Sequence, residues 1–140
     1  MSTPPPPALT REVLGLFAAV NRRYAEESEA AAGAHRLTPL QAKALQAAGS
    51  PVPMREIAAR LHAEPSNVTA IVDRLTARGL VERRPDPADR RVKLVAATGP
   101  GLVVLADLRV RMPFAADPLA ALDAGQQAAL RDLLKLVLES

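Results

Sequence analysis

The sequence predicts a mostly α-helical protein interrupted once by a small β ribbon, and three observations carry that prediction. The first is period. In PSNVTAIVDRLTA, residues 65–77, the apolar Val68, Ile71, Val72 and Leu75 recur three and four apart, the spacing of one helix face. The second is punctuation. Gly79 follows that helix, and a residue without a Cβ takes the left-handed conformation that stops one. Beyond it, Leu80-Val81-Glu82-Arg83 and Val92-Lys93-Leu94-Val95-Ala96 read as short strands around the turn Pro85-Asp86-Pro87-Ala88-Asp89. The third is composition. Two Phe and one Tyr are the only aromatic residues, so Leu, Val and Ala must do most of the packing, which suits helices better than stacked sheets. A helix followed by a two-stranded ribbon is the outline of a winged helix-turn-helix.

The chain in order supports the same architecture. Residues 1–8, with four consecutive prolines, read as a disordered or polyproline-like arm ahead of a single domain over 9–140. A first helix is expected over residues 10–31. Its apolar stripe is Val13, Leu16, Phe17, Val20 and Tyr24, and Arg22, Arg23, Glu26, Glu27 and Glu29 face outward. After a connector at 33–37, Thr38-Pro39-Leu40-Gln41 starts a second helix with a hydroxyl cap, a proline at the first position and Gln41 placed to complete a capping box. That helix should end near Ala48, before Gly49-Ser50-Pro51. A third should open at about Pro53, with Met54, Ile57, Ala58 and Leu61 on one face, and His62-Ala63-Glu64 is the tight turn into the 65–77 helix. Thr98 can cap a fifth helix that breaks near Pro113, and Asp117-Pro118 marks a further bend. Asp123-Ala124-Gly125-Gln126 opens a last helix that turns Leu130, Leu133, Leu134, Val137 and Leu138 inward. The winged core is thus placed at about 38–97. The helices at about 9–32 and 98–140 carry more apolar surface than so small a core needs, which points to dimerisation through both ends.

Charge and composition bound the function. Residues 50–95 hold nine Arg or Lys against six Asp or Glu, and the rest of the chain holds nine of each, so the formal +3 of the protein resides in the winged segment. On its own that excess fits a solvated face as well as a nucleic-acid surface. Its coincidence with helix and wing favours double-stranded DNA, because each neutralised phosphate releases counterions. Cysteine is absent, which excludes disulfides, thiolate metal sites and thiol redox chemistry. No run approaches the roughly 18 apolar residues that span a bilayer, and the N-terminus has no basic segment leading an apolar one. A soluble, cytoplasmic protein without membrane association is expected. His35 and His62 have no second His or Cys at ligand spacing, and no nucleophile-base-orienter set is visible, so neither a metal, a cofactor nor an enzyme activity is expected.

The segment PMREIAARLHAEPSNVTAIVDRLTARGLVERRPDPADRRVKLVAATGPG closely resembles the DNA-binding core of the multiple antibiotic resistance regulator (MarR) family. Its most specific pieces are PSNVT, VDRL, RGLVER and DPADRR, and the flanking helices match in order and length. The resemblance implies a homodimer that binds pseudo-palindromic operator DNA, usually as a repressor, and that in many members is released by a small aromatic or phenolic ligand. The family's pocket lies where the dimer helices meet the winged domain, which makes Leu14, Phe17, Ala18 and Leu40 its candidate lining here. Two positions depart from the pattern. Ala70 stands where a basic residue is frequent, and Glu64 caps the 65–77 helix where a shorter carboxylate would cap it better.

The residues assigned to DNA are Pro65, Ser66, Asn67, Thr69, Arg74, Arg78, Arg84, Asp89, Arg90 and Arg91. Ser66, Asn67 and Thr69 fall in the first turn and a half of the recognition helix, where free N–H groups and the helix dipole favour phosphate and short side chains reach base edges. Ordinary capping would account for Ser66 but not for Asn67 and Thr69, which are poor interior helix formers. Arg74 and Arg78 are one turn apart, the first beside Asp73 and set against phosphate, the second equally readable as solvated. Arg83 and Arg84 alternate across a strand, so one of them faces DNA. In an extended wing strand Asp89 and Arg91 share a face, and a guanidinium held that way suits the narrow minor groove, with Arg90 on the phosphates; the exchanged assignment stays open. The competing function is a winged-helix interaction module that has lost sequence-specific DNA binding.

Overall fold

The computed structural model describes residues 2–112 and 117–140. The elements follow as α1 (Ala8–Gly33), α2 (Pro39–Ala47), β1 (Val52–Pro53), α3 (Met54–Leu61), α4 (Pro65–Ala77), β2 (Val81–Pro85), β3 (Lys93–Ala97), α5 (Gly99–Arg111) and α6 (Ala124–Glu139). The fold is mostly helical with one small antiparallel sheet, a winged helix-turn-helix.

Cap chemistry explains where the helices begin and end. Thr38 accepts from the Gln41 N–H and Gln41 returns the bond to the Thr38 N–H, so both halves of the capping box form. Asp123 and Gln126 do the same ahead of α6. At the end of α4, Gly79 sits at φ 72°; its N–H donates to Thr76 O and that of Leu80 to Leu75 O, a paired closure that only a left-handed residue permits. Among the described residues two that are not glycine take the same conformation: His62 in the turn between α3 and α4, and Arg36 after α1.

The core lies between α2, α3, α4 and the sheet. Leu45, Ile57, Val68, Val72, Leu75, Val81 and Val95 are fully buried, with Leu105 and Leu108 of α5 closing one side. Each large side chain removed from water in this way stabilises the fold by about 1.5–3 kcal/mol. A close backbone approach fixes α5 against the base of the wing. Thr98 caps α5 through the Gly101 N–H while its own hydroxyl donates to Gly79 O, and a Cβ on Gly101 would collide with the carbonyl of Leu80.

Several expectations need correction. The sheet has three strands, in the order β1-β3-β2, and not the two expected, because Val52 and Pro53, the latter also the N-cap of α3, pair with Val95 and Leu94. Two residues are too few for any periodicity to announce a strand. The rising strand starts at Val81 and extends through Pro85, one residue into the expected turn, since Pro85 still pairs with Lys93. The returning strand starts at Lys93, later than expected. The Leu residues of α6 do not turn inward within this chain: no residue of α6 is buried, and Leu138 is 84% exposed. The α1 stripe at Val13, Leu16, Phe17 and Val20 is exposed as well, and the helix buries only Ser28, Ala31 and Ala32. The expected break near Pro113 lies outside the described residues, whereas the Asp117-Pro118 bend is present as a turn fastened to α6 by Gln127, whose amide donates to Leu119 O and Leu122 O.

Candidate nucleic-acid interface

The helix-turn-helix is α3, the His62-Ala63-Glu64 turn and α4. Apolar Val68, Val72 and Leu75 fasten α4 to the core, which leaves Ser66, Asn67, Thr69, Ala70, Asp73 and Arg74 exposed. Pro65 occupies the first helical position, and the N-cap Glu64 makes no side-chain bond to the helix. The amide end of α4 is therefore uncapped, a positive pole with open donors. Thr69 has a partner within the helix, since its hydroxyl donates to Pro65 O at 3.0 Å. Part of its presence there is thus explained by backbone bonding alone, while the residue is exposed and its oxygen can still accept.

The arginines of α4 and β2 differ in what holds them. Asp73 does not pair with its neighbour Arg74; it accepts from Arg83 at 2.6 Å and ties α4 to β2. Arg84 points away from that pair and meets Glu82 on its own strand. Among the described residues Arg74 and Arg90 make no side-chain hydrogen bond or ion pair. Arg78 is exposed but not free. Its guanidinium donates to His35 O at 2.8 Å and Arg36 O at 3.1 Å, across the groove between α4 and the α1–α2 connector.

The wing tip brings Asp89 and Arg91 together, though by a different route from the one expected. Residues 89–92 form a turn, not extended strand: the Val92 N–H donates to Asp89 O, and the Asp89 carboxylate accepts the Arg91 N–H at 3.1 Å. The same carboxylate accepts Arg91 Nε at 3.1 Å. Those side-chain and backbone bonds from Arg91 hold the Asp89 carboxyl below the usual carboxylate range, keeping it ionised. Arg91 is itself 91% exposed, so the pair presents a guanidinium to solvent.

Sequence reasoning passed over a second cluster behind the recognition helix. His35 Nε2 meets Asp107 Oδ2 of α5, and Arg111 Nε reaches the same oxygen at 2.7 Å. Hydrogen bonding to His35, ahead of the Arg111 contributions, lowers the Asp107 pKa. Since Arg78 holds the carbonyl of His35, the connector is clipped to α4 on one side and to α5 on the other. No local signal announces this, because the partners are 43 and 72 residues apart. The candidate effector residues Leu14, Phe17, Ala18 and Leu40 are all exposed in the single chain. Among the described residues no group of His, Asp and Glu could hold a metal ion, and no helix is long and apolar enough to cross a membrane.

A family model described as MarR family matches residues 38–92, the span from the α2 cap to the wing. Solved structures of that family superpose over nearly the whole chain. A mutant MarR from E. coli complexed with operator DNA is 26% identical, with a TM-score of 0.67 over 91% of this chain and 94% of that one. Both matches make the chain similar to the MarR family, the first over its winged core and the second over nearly its whole length. CouR from Rhodococcus jostii RHA1, bound to p-coumaroyl-CoA, is 29% identical, with a TM-score of 0.75 over 94% of this chain and 95% of that one. The transcriptional regulator BldR from Sulfolobus solfataricus is 26% identical, with a TM-score of 0.67 over 94% and 96%. Comparison with curated protein sequences finds no match. The family match over the winged core and these structural likenesses support a DNA-binding transcriptional regulator rather than an enzyme.

Proposed function

We propose that this chain is a MarR-family member acting as a homodimeric repressor that binds a pseudo-palindromic operator and is released by a small aromatic or phenolic ligand. The observation that carries the DNA reading is the uncapped amino end of α4, with Ser66, Asn67 and Thr69 exposed beside it and the oriented Arg91 on the wing. Pro65, Arg74, Arg84, Asp89 and Arg90 complete the contact set, and Arg78 contributes from its clipped position. The likeness to an operator-bound MarR supports the partner, and the likeness to a regulator bound to p-coumaroyl-CoA supports an aromatic effector.

The dimer is supported by two apolar faces that the chain leaves open, Leu9, Val13, Leu16 and Val20 on α1 and Leu133, Leu136, Val137 and Leu138 on α6. Faces of that size rarely stay unpaired in water. A two-fold dimer would set its recognition helices in major grooves about 34 Å apart. In that dimer Leu14, Phe17, Ala18 and Leu40 would be enclosed between the terminal helices and the winged core, which is where the ligand is placed. A gel-shift against the DNA upstream of the protein's own gene, read with light scattering, tests the proposal. A shifted band from a particle of twice the chain mass, lost on titration with phenolic acids or their CoA thioesters, is expected. A monomer, or binding no tighter than to random DNA, would leave only an interaction module.

A further inference from the structure

The side chains of Arg36, Arg74 and Arg78, with Thr38, Gln41 and Ala77, line an open pocket of about 430 Å3 between the α1–α2 connector, the first turn of α2 and α4. Three guanidiniums from two elements converge there and no carboxylate lines the pocket. Two of the three, Arg36 and Arg74, have no side-chain partner among the described residues. The third is held in place: Arg78 spends two donors on the carbonyls of His35 and Arg36, and its fork has five. Like charges do not gather around an empty space without cost, and here nothing in the chain neutralises them.

The position of the pocket says what would. Asn67, Arg74 and Arg78 are seven and four residues apart, so they form one stripe along α4, at one edge of the face that carries Ser66 and Ala70. A helix seated in a major groove about 12 Å wide has a phosphate backbone along each flank. The pocket sits on one such flank. Guanidinium forks match the oxygens of a phosphodiester and bind it more strongly than neutral donors do.

Arg36 carries a further mark. It holds φ 56°, the left-handed position that ends α1 through the bonds Arg36 N–H to Gly33 O and Leu37 N–H to Ala32 O. Glycine adopts that conformation freely, whereas a side chain there is strained. An arginine standing in this conformation, where glycine would be unstrained, points to a use for its side chain.

We propose that this pocket is a phosphate clamp, in which Arg36, outside the helix-turn-helix, joins Arg74 and Arg78 on one phosphodiester of the bound DNA. The inference rests on the DNA-binding reading above. Its test is binding of wild type, Arg36→Gly and Arg36→Lys to a random-sequence duplex over a range of salt, with thermal unfolding of each. Arg36→Gly should be at least as stable as wild type, yet bind about threefold to tenfold more weakly, with a log–log salt slope shallower by about one. Arg36→Lys should keep most of the slope. An unchanged slope in Arg36→Gly while wild type binds would overturn the clamp alone. The clamp also falls if Arg36→Gly unfolds more easily, since the residue is then structural, or if Arg36→Lys behaves like Arg36→Gly, since charge is then not what matters. Pyrophosphate titrated into the free protein adds one more arm: saturable binding that needs Arg36, with DNA binding indifferent to it, would assign the pocket to a small phosphorylated ligand instead. Wild type that binds no DNA at all would fell the DNA reading first and the clamp with it.

Discussion

The imidazole Nε2 of His35 lies 2.5 Å from the carboxylate Oδ2 of Asp107, joining the connector after α1 to the middle of α5. On its other side the carbonyl of His35 receives Arg78 from the carboxyl end of the recognition helix. The angle at which α4 leaves the terminal helices is thus set partly by one residue held from two directions.

The contact predicts a pH dependence whose sign follows from Asp107. His35, helped by Arg111, holds the Asp107 carboxyl below its ordinary value in the folded protein. A depressed carboxylate stabilises the fold above its unfolded pKa, and that contribution is lost as pH falls through the folded one. Asp107→Asn should therefore be less stable than wild type at neutral pH, and the gap should close as pH falls below about 4. Urea unfolding of both proteins at neutral and acid pH measures it; a gap that stays constant would show that the carboxylate charge plays no part.

Ser28 offers a prediction of opposite sign. It is 3% exposed in α1, and its hydroxyl has no hydrogen-bond partner among the described residues. Leaving a buried hydroxyl unsatisfied costs about 1–3 kcal/mol, and alanine is also the better helix former. Ser28→Ala should raise stability by about 1 kcal/mol, seen as a higher denaturant midpoint at unchanged slope. A loss of stability would reveal a partner for that hydroxyl, in the dimer or in ordered water.

For the recognition helix, Asn67→Ala should lower binding to the operator by about 1–3 kcal/mol, the size of one base contact, and change binding to random DNA much less. Thr69→Ala should show a smaller discrimination, because its hydroxyl is already committed to Pro65 O. Equal losses on operator and random DNA would mean that both residues only position the backbone.

On the wing, Arg91 is oriented by three bonds to Asp89, and Arg90 has no partner among the described residues. Arg91→Ala should weaken binding most where the flanks are A·T-rich, since such tracts narrow the minor groove and deepen its negative potential. Arg90→Ala should weaken all sequences alike and flatten the salt slope by about one. Asp89→Ala should copy the flank dependence of Arg91→Ala in weaker form. If flank composition matters to Arg90→Ala and not to Arg91→Ala, the two roles are exchanged.

What the sequence determined by itself is what neighbours within about four residues decide. Thr38 with Gln41, Asp123 with Gln126, Pro65 at a helix start and Gly79 at a helix end act through bonds that close inside one turn, so residue type and spacing specify them. The fold class follows from those signals together with the apolar period of α4. The Asp89–Arg91 pair was legible for the same reason, although a turn and not a strand brings it about. Tertiary structure alone decided the rest. Val52 and Pro53 become a strand only because β3 arrives beside them, and Arg78 turns to the connector only because α4 packs there. His35 finds Asp107 across 72 residues. Such contacts form after the core has already closed the intervening loops, so no local pattern encodes them. The apolar stripes of α1 and α6 mark the limit of both. Periodicity shows that a face is apolar, and packing shows that this chain leaves it open, because the core formed around Leu45, Ile57 and Leu75 is complete without it.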